Sequence, residues 1–134
     1  MTPSTSAGST AVPRNQADSK AQLHADIDRL IAAVGPIVRV RQDKVLPCDP
    51  GNDAAGYAWT YGAVLDVPAD GQTAAMDGAA QAMSERGYRV GRSPRTDEVD
   101  LTFRRAGFDL DMSFFPGKDE ATVGGSGPCL KEKA

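Results

Sequence analysis

The sequence predicts an α+β fold: a two-layer α/β sandwich with a mainly antiparallel sheet of five to six strands and two helices on one face. Three observations carry this. Two segments have apolar residues at helical spacing, several others alternate apolar and polar with period two, and each run ends at Gly or Pro. Clean alternation gives a sheet one dry and one wet face, the pattern of antiparallel sheets covered on one side.

The first helix is expected from Ser19 to Val34. Ser19 and Gln22 stand at capping-box spacing, Leu23, Ile27, Leu30, Ile31 and Val34 form one stripe, and Gly35-Pro36 stops the ladder. A strand follows from Ile37 to Arg41, then a loop over Pro47 to Gly56, rich in Pro, Gly, Asn and Asp. Tyr57 to Val67 reads as a long strand whose apolar face is Tyr57, Trp59, Tyr61, Ala63, Leu65 and Val67, with Gly62 marking a bulge or a close packing contact. A second helix runs from Pro68 to Arg86 with Met76, Ala79, Ala80 and Met83 inward. Strands are then expected at Tyr88 to Arg92, around Val99-Leu101-Phe103, and around Phe108-Leu110-Met112-Phe114. Arg105-Ala106-Gly107 joins the last two, and a short strand lies near Ala121 to Val123.

The chain has 134 residues and net charge −3, which suits one domain and argues against a nucleic-acid partner. The expected organisation is a disordered Ser/Thr/Pro-rich leader over residues 1–17, a single domain over 18–130 and a tail over 131–134. No apolar run reaches the about 18 residues that would span a membrane.

Cys48 and Cys129 are the two cysteines, each flanking a folded-looking region. Paired, they staple the domain and point to an oxidising, extracytoplasmic compartment. Two free thiols in a cytosolic protein remain the alternative. Zinc is disfavoured, since His24 is the sole histidine. Residues 1–17 lack the apolar segment of a signal peptide, so export requires a signal sequence further upstream; the alternative is that Met1 is the natural start.

No metal or cofactor is expected, and no catalytic motif stands out. Trp59 and Tyr61, with Tyr57, could line a groove for flat ligands or pack beneath the helices. Asp109 and Asp111 could do acid–base chemistry, which needs a pocket that raises one pKa. Otherwise they pair with Arg39, Arg41, Arg89 and Arg104 on a wet sheet face that also holds Asp100. Asp49, Asn52 and Asp53 read as turn residues rather than calcium ligands. His24 reads as a solvated residue at the helix edge. Gly124-Gly125-Ser126-Gly127 lacks the following helix a phosphate cradle needs and reads as irregular chain. Phe115 breaks the alternation after Phe114, beside Pro116-Gly117, and is expected on a loop tip as a contact for a partner, with a bulge as the alternative explanation.

Cys48, Trp59, Gly87-Tyr88-Arg89-Val90 and Gly125-Ser126-Gly127-Pro128-Cys129 together resemble the mature ectodomain of small actinobacterial secreted proteins and lipoproteins of uncharacterised function. The resemblance spans Ser19 to Leu130. It implies a Cys48–Cys129 bridge, export and a lipid anchor upstream of the leader, and it brings no catalytic residues. The expected function is a non-enzymatic extracytoplasmic domain, secreted or lipid-anchored, that binds an envelope protein or small ligand. The alternatives are a small hydrolase using Asp109 and Asp111 and a cytosolic immunity or adaptor protein.

Overall fold

The structure, a computed structural model, describes residues 12–133. Among them, helix α1 (Gln16–Val34) and helix α2 (Gln72–Ser84) lie on one face of a six-stranded sheet. The strands are β1 (Ile37–Pro47), β2 (Tyr57–Asp66), β3 (Arg89–Pro94), β4 (Val99–Arg105), β5 (Phe108–Phe115) and β6 (Glu120–Ser126). Their order is β1-β2-β6-β5-β4-β3, and every pairing is antiparallel. The fold is therefore the expected α+β arrangement.

Alternation builds the core. Tyr61, Ala63 and Leu65 of β2, Leu101 and Phe103 of β4, Phe108, Leu110, Met112 and Phe114 of β5, and Ala121 and Val123 of β6 all face the helices. Against them lie Leu23, Ile27 and Leu30 of α1 and Ala75, Met76, Ala79 and Met83 of α2. The β4–β5 turn uses Ala106 and Gly107 at φ 45° and 87°, the two positive values a tight hairpin requires.

Several boundaries differ from expectation. Helix α1 starts at Gln16, and its cap is Asn15, whose side chain accepts a 2.8 Å bond from the Asp18 amide. Ser19 is buried inside the first turn instead. Pro13 and Gln16 are buried too, so the ordered domain starts before residue 18; of the expected leader, residues 1–11 lie outside the described residues. Strand β1 runs on to Pro47, six residues past Arg41. Strand β6 takes in Gly124 to Ser126, which read as irregular chain, because β2 and β5 pair with it on both sides.

Buried polar groups tie the layers together. Gln16 Nε2 donates to the Tyr57 and Glu132 carbonyls at 2.8 and 2.9 Å, pinning the start of α1 to β2 and the chain end. Gln72 Nε2 donates to the Lys118 and Phe115 carbonyls at 2.8 and 3.1 Å, fixing α2 on the β5–β6 turn. Asp26, 0 % exposed, is the deepest charge. Arg86 Nε lies 2.6 Å and Arg105 Nη2 3.1 Å from its carboxylate, and the Tyr88 hydroxyl donates to it at 2.5 Å. Arg105 also stacks on the Tyr88 ring at 4.4 Å. Burial, then the bond to Asp26, pushes the Tyr88 hydroxyl far above its usual range, against the opposing pull of Arg105 and Arg86. Two guanidinium groups and a hydroxyl thus offset the desolvation of one carboxylate.

Candidate functional site

The face of the sheet turned away from the helices carries Asp109, Asp111 and Phe115, three of the candidate residues. Strand register places Gln42, Gly62, Gly124, Asp111, Thr102 and Gly91 in one row across all six strands. Glycines at three of these positions lower the floor. The row beside it is Lys44, Thr60, Ser126, Asp109, Arg104 and Arg89; on the other side stand Val64, Thr122, Ser113, Asp100 and Ser93. The flanking rows are about 13 Å apart and the floor is about 24 Å long, from strand rise and spacing. A shallow open depression of about 400 Å³ occupies its middle, lined by Gln42, Thr60, Thr102, Arg104, Asp109 and Asp111 among others.

Asp111 lies over the floor. A Cβ on Gly124 would come 2.8 Å from its Oδ1, so the carboxylate rests where only glycine leaves room. Desolvation there, then the charges of Asp100 and Asp109, raise the Asp111 pKa, although much of the side chain meets solvent. Its two acidic neighbours have cationic partners: Arg104 Nε is 3.0 Å from Asp109 and Arg95 Nε is 2.8 Å from Asp100. Ser113 Oγ donates to Asp100 at 2.9 Å. For Asp100, burial pulls the pKa up, but bonds from Glu98 and Ser113 and the Arg95 charge outweigh it, and the net direction is down. Glu98 moves the other way, raised chiefly by its bond to Asp100. Of the two aspartates singled out in the sequence, Asp109 is thus held by arginine. Asp111 has no hydrogen-bond or ion-pair partner among the described residues.

The aromatic residues lie elsewhere. Tyr61 is buried on the helix side, its ring edge-on to His24 at 5.4 Å. Burial, then Asp43 and Asp28, raise its pKa. Trp59 is half-buried at the same junction. Its Nε1 donates to Asp43 Oδ1 at 2.6 Å, and Lys20 Nζ sits 5.0 Å from the ring centroid. His24 is therefore a correction: it lies at the helix edge, but Nε2 is 2.9 Å from Asp43 Oδ1 rather than bonded to water alone. Burial works against the Asp43 carboxylate, yet the bonds from His24 and Trp59 and the nearby cations prevail and lower its pKa. Lys20, His24, Asp43 and Trp59 form a clamp between α1 and the β1–β2 hairpin, away from the polar face. Sequence reading missed Asp43 because Gln42-Asp43-Lys44 hides the alternation; its one signal is parity with Val45.

Phe115 is also a correction. It is the half-buried last residue of β5, opposite Glu120 on the polar face, and not on a loop tip. It borders a second depression with Thr96, Asp97, Pro116, Gly117 and Lys118. Asp49, Asn52 and Asp53 make turn contacts. Asn52 caps a short 3-10 turn at Ala54 N, and Asp53 accepts a 2.9 Å bond from the Tyr57 hydroxyl. No three metal-binding side chains converge among the described residues.

Cys48 and Cys129 are joined, with sulfurs 2.11 Å apart and α-carbons 6.2 Å apart. The bridge closes the end of the sheet next to the groove, where Tyr57 and Leu130 exchange backbone bonds of 2.6 and 2.8 Å. Gly56 is needed there, because its φ is +87° and a Cβ would meet the Leu130 carbonyl oxygen at 2.7 Å.

No helix of the described residues is long and apolar enough to cross a membrane. No protein-family model matches the chain, and a search of curated proteins finds no match. Among solved structures, the chain is similar to the crystal structure of the LppA lipoprotein candidate from Mycobacterium tuberculosis. The TM-score is 0.42 and the identity 15 %, over 83 % of this chain and 72 % of that one.

Proposed function

We propose that this chain is a non-enzymatic extracytoplasmic domain that binds an envelope protein or small ligand across the helix-free face of its sheet. The row Gln42-Gly62-Gly124-Asp111-Thr102-Gly91 carries the proposal. A groove floored by glycine, edged by Thr and Ser hydroxyls and centred on an uncompensated carboxylate is a binding surface rather than a merely solvated one. The Cys48–Cys129 bridge supports the location, since such bonds persist in oxidising compartments. Phe115 and Asp109 border the same face and are the next contacts; Trp59 and Tyr61 serve the α1 clamp.

A small hydrolase is the second reading, favoured by one observation, the raised pKa of Asp111. Against it, the depression is open, its lining holds no histidine or cysteine, and Asp109 is engaged by Arg104. A cytosolic immunity or adaptor role is a third reading and requires reduced thiols.

The test is site-specific photo-crosslinking in the native host, with the probe at Thr60 or Thr102 in the groove and, as a control, at Asp77 on α2. A discrete adduct from the groove positions alone supports the proposal. Equal labelling from Asp77, or turnover of an ester or glycoside panel that is lost in Asp111→Asn, would sink it.

A further inference from the structure

Strand β1 has a feature that the groove does not explain. It forms one edge of the sheet, and its first half exposes Val38 at 62 %, Val40 at 48 % and Ile37 at 39 %, among the most exposed large apolar residues described. Arg39, Arg41 and Lys44 interleave with them and are exposed as well. None of the three takes part in an ion pair among the described residues, although the chain as a whole carries a net charge of −3. The one acidic residue of the strand, Asp43, is turned inward to His24 and Trp59. An acidic protein has thus gathered uncompensated cations and bare valines on a single edge.

Edge protection accounts for only part of this. Charged residues and bulges keep edge strands from pairing with other chains, and β1 has both. Its register shifts between Ile37 and Arg39 and again between Val40 and Gln42, leaving Val38 and Arg41 outside the ladder. Those bulges argue against strand addition by a second copy or by an extended peptide. Two copies meeting at this edge would also oppose like charges. Protection does not explain exposed valines, however, because apolar tips invite the association that bulges prevent. Ile37, Val38 and Val40 line neither the groove nor the depression beside Phe115, so they stand apart from both.

Exposed apolar tips flanked by cations without ion-pair partners among the described residues, on an open sheet edge, fit a flat, deformable, negatively charged surface. We infer that the Ile37–Lys44 edge docks on an anionic lipid bilayer, with Val38 and Val40 entering the interface and Arg39, Arg41 and Lys44 pairing with lipid phosphates. Apolar burial and attraction to anionic headgroups act together in such binding, and the electrostatic part decays within a Debye length. In this arrangement the edge, not the groove, meets the membrane, and the polar sheet face stays open to a partner. The inference does not rest on the groove reading.

The experiment is co-sedimentation of the full chain with vesicles of phosphatidylglycerol and phosphatidylcholine in equal parts, and with pure phosphatidylcholine vesicles. Binding is expected to the anionic vesicles alone and to fall steeply with added salt. The double variant Arg39→Ala/Arg41→Ala is expected to lose roughly fivefold per cation, about 25-fold in all. Val38→Ser/Val40→Ser is expected to weaken binding too, whereas Arg89→Ala/Lys118→Ala, an equal charge change elsewhere, leaves it intact. All these positions are exposed apart from part of Val40, and unchanged melting temperatures verify folding. Equal affinity for both vesicle types, no sedimentation with either, or wild-type binding by Arg39→Ala/Arg41→Ala overturns the inference. So does loss in the control double variant equal to that in the edge variant, which would make the effect one of net charge.

Discussion

Asp26 and Asp111 are aspartates treated in opposite ways. Asp26 sits on the apolar stripe of α1, fully buried, and receives two arginines and a tyrosine hydroxyl from two segments, the α2–β3 connection and the end of β4. Asp111 sits on the open face over a glycine, and the charges that shift its pKa, Asp100 and Asp109, are acidic, while the nearby Arg104 is paired with Asp109. A charge that organises the fold is fully compensated inside it. A charge left uncompensated on the surface is available to something outside, and the two sites should fail differently when altered.

The largest effect belongs to the buried site. Asp26→Ala removes the anion and leaves Arg86, Arg105 and Tyr88 without it, at a cost of about 3–5 kcal/mol measured by urea denaturation. A loss under 1 kcal/mol, roughly a surface effect, would mean that the network contributes little to stability. Next comes the bridge beside the groove. Cys48→Ser/Cys129→Ser is expected to lower stability by about 2–4 kcal/mol, because the bond constrains a long loop of the unfolded chain. Protein recovered from an oxidising compartment should resist alkylation until reduced; ready alkylation of both thiols would favour the cytosolic reading.

The α1 clamp is intermediate and depends on pH. The folded pKa of Asp43 lies below its ordinary 3.8, so the unfolded state takes up the proton first as pH falls. Its contribution is complete above the unfolded value and disappears as pH drops through the folded one. His24→Ala should cost about 1 kcal/mol at neutral pH and flatten the stability curve below about pH 4. An acid limb identical to that of the wild type would show that the bond does not set the Asp43 shift.

The smallest effect on stability, and the sharpest on binding, belongs to Asp111. Its folded pKa is raised, so the wild type gains stability as pH falls through that value, and the ionised carboxylate costs the folded state stability relative to the unfolded chain. Asp111→Asn should leave melting unchanged or raise stability by up to about 0.5 kcal/mol, while abolishing the groove crosslink. Marked destabilisation would make Asp111 structural and remove the contrast with Asp26.

Much of the scaffold was legible because it repeats locally. The stripe of Leu23, Ile27 and Leu30 and the alternation from Phe108 to Phe114 name their elements and inward faces. Asp26 left a signal that is easily read as noise, a charge three residues after Leu23 and four before Leu30. Its partners gave none, because Arg86, Tyr88 and Arg105 lie 60 to 79 residues away. Strand β6 was half-hidden for a different reason. Gly124-Gly125-Ser126 carries loop chemistry, yet the glycines serve packing: a Cβ on Gly125 would press on Leu110 at 3.0 Å and on Leu23 at 3.2 Å.

The sequence by itself determined the class of the fold and the face of each well-patterned strand that is buried. These follow from side-chain period and apolar burial, which act over a few residues. Only the tertiary structure decided that β6 lies between β2 and β5, and hence that Gly62, Gly124, Asp111 and Thr102 stand side by side. Cross-strand neighbours are chosen by long-range pairing, and a slip of one residue would turn Asp111 into the core.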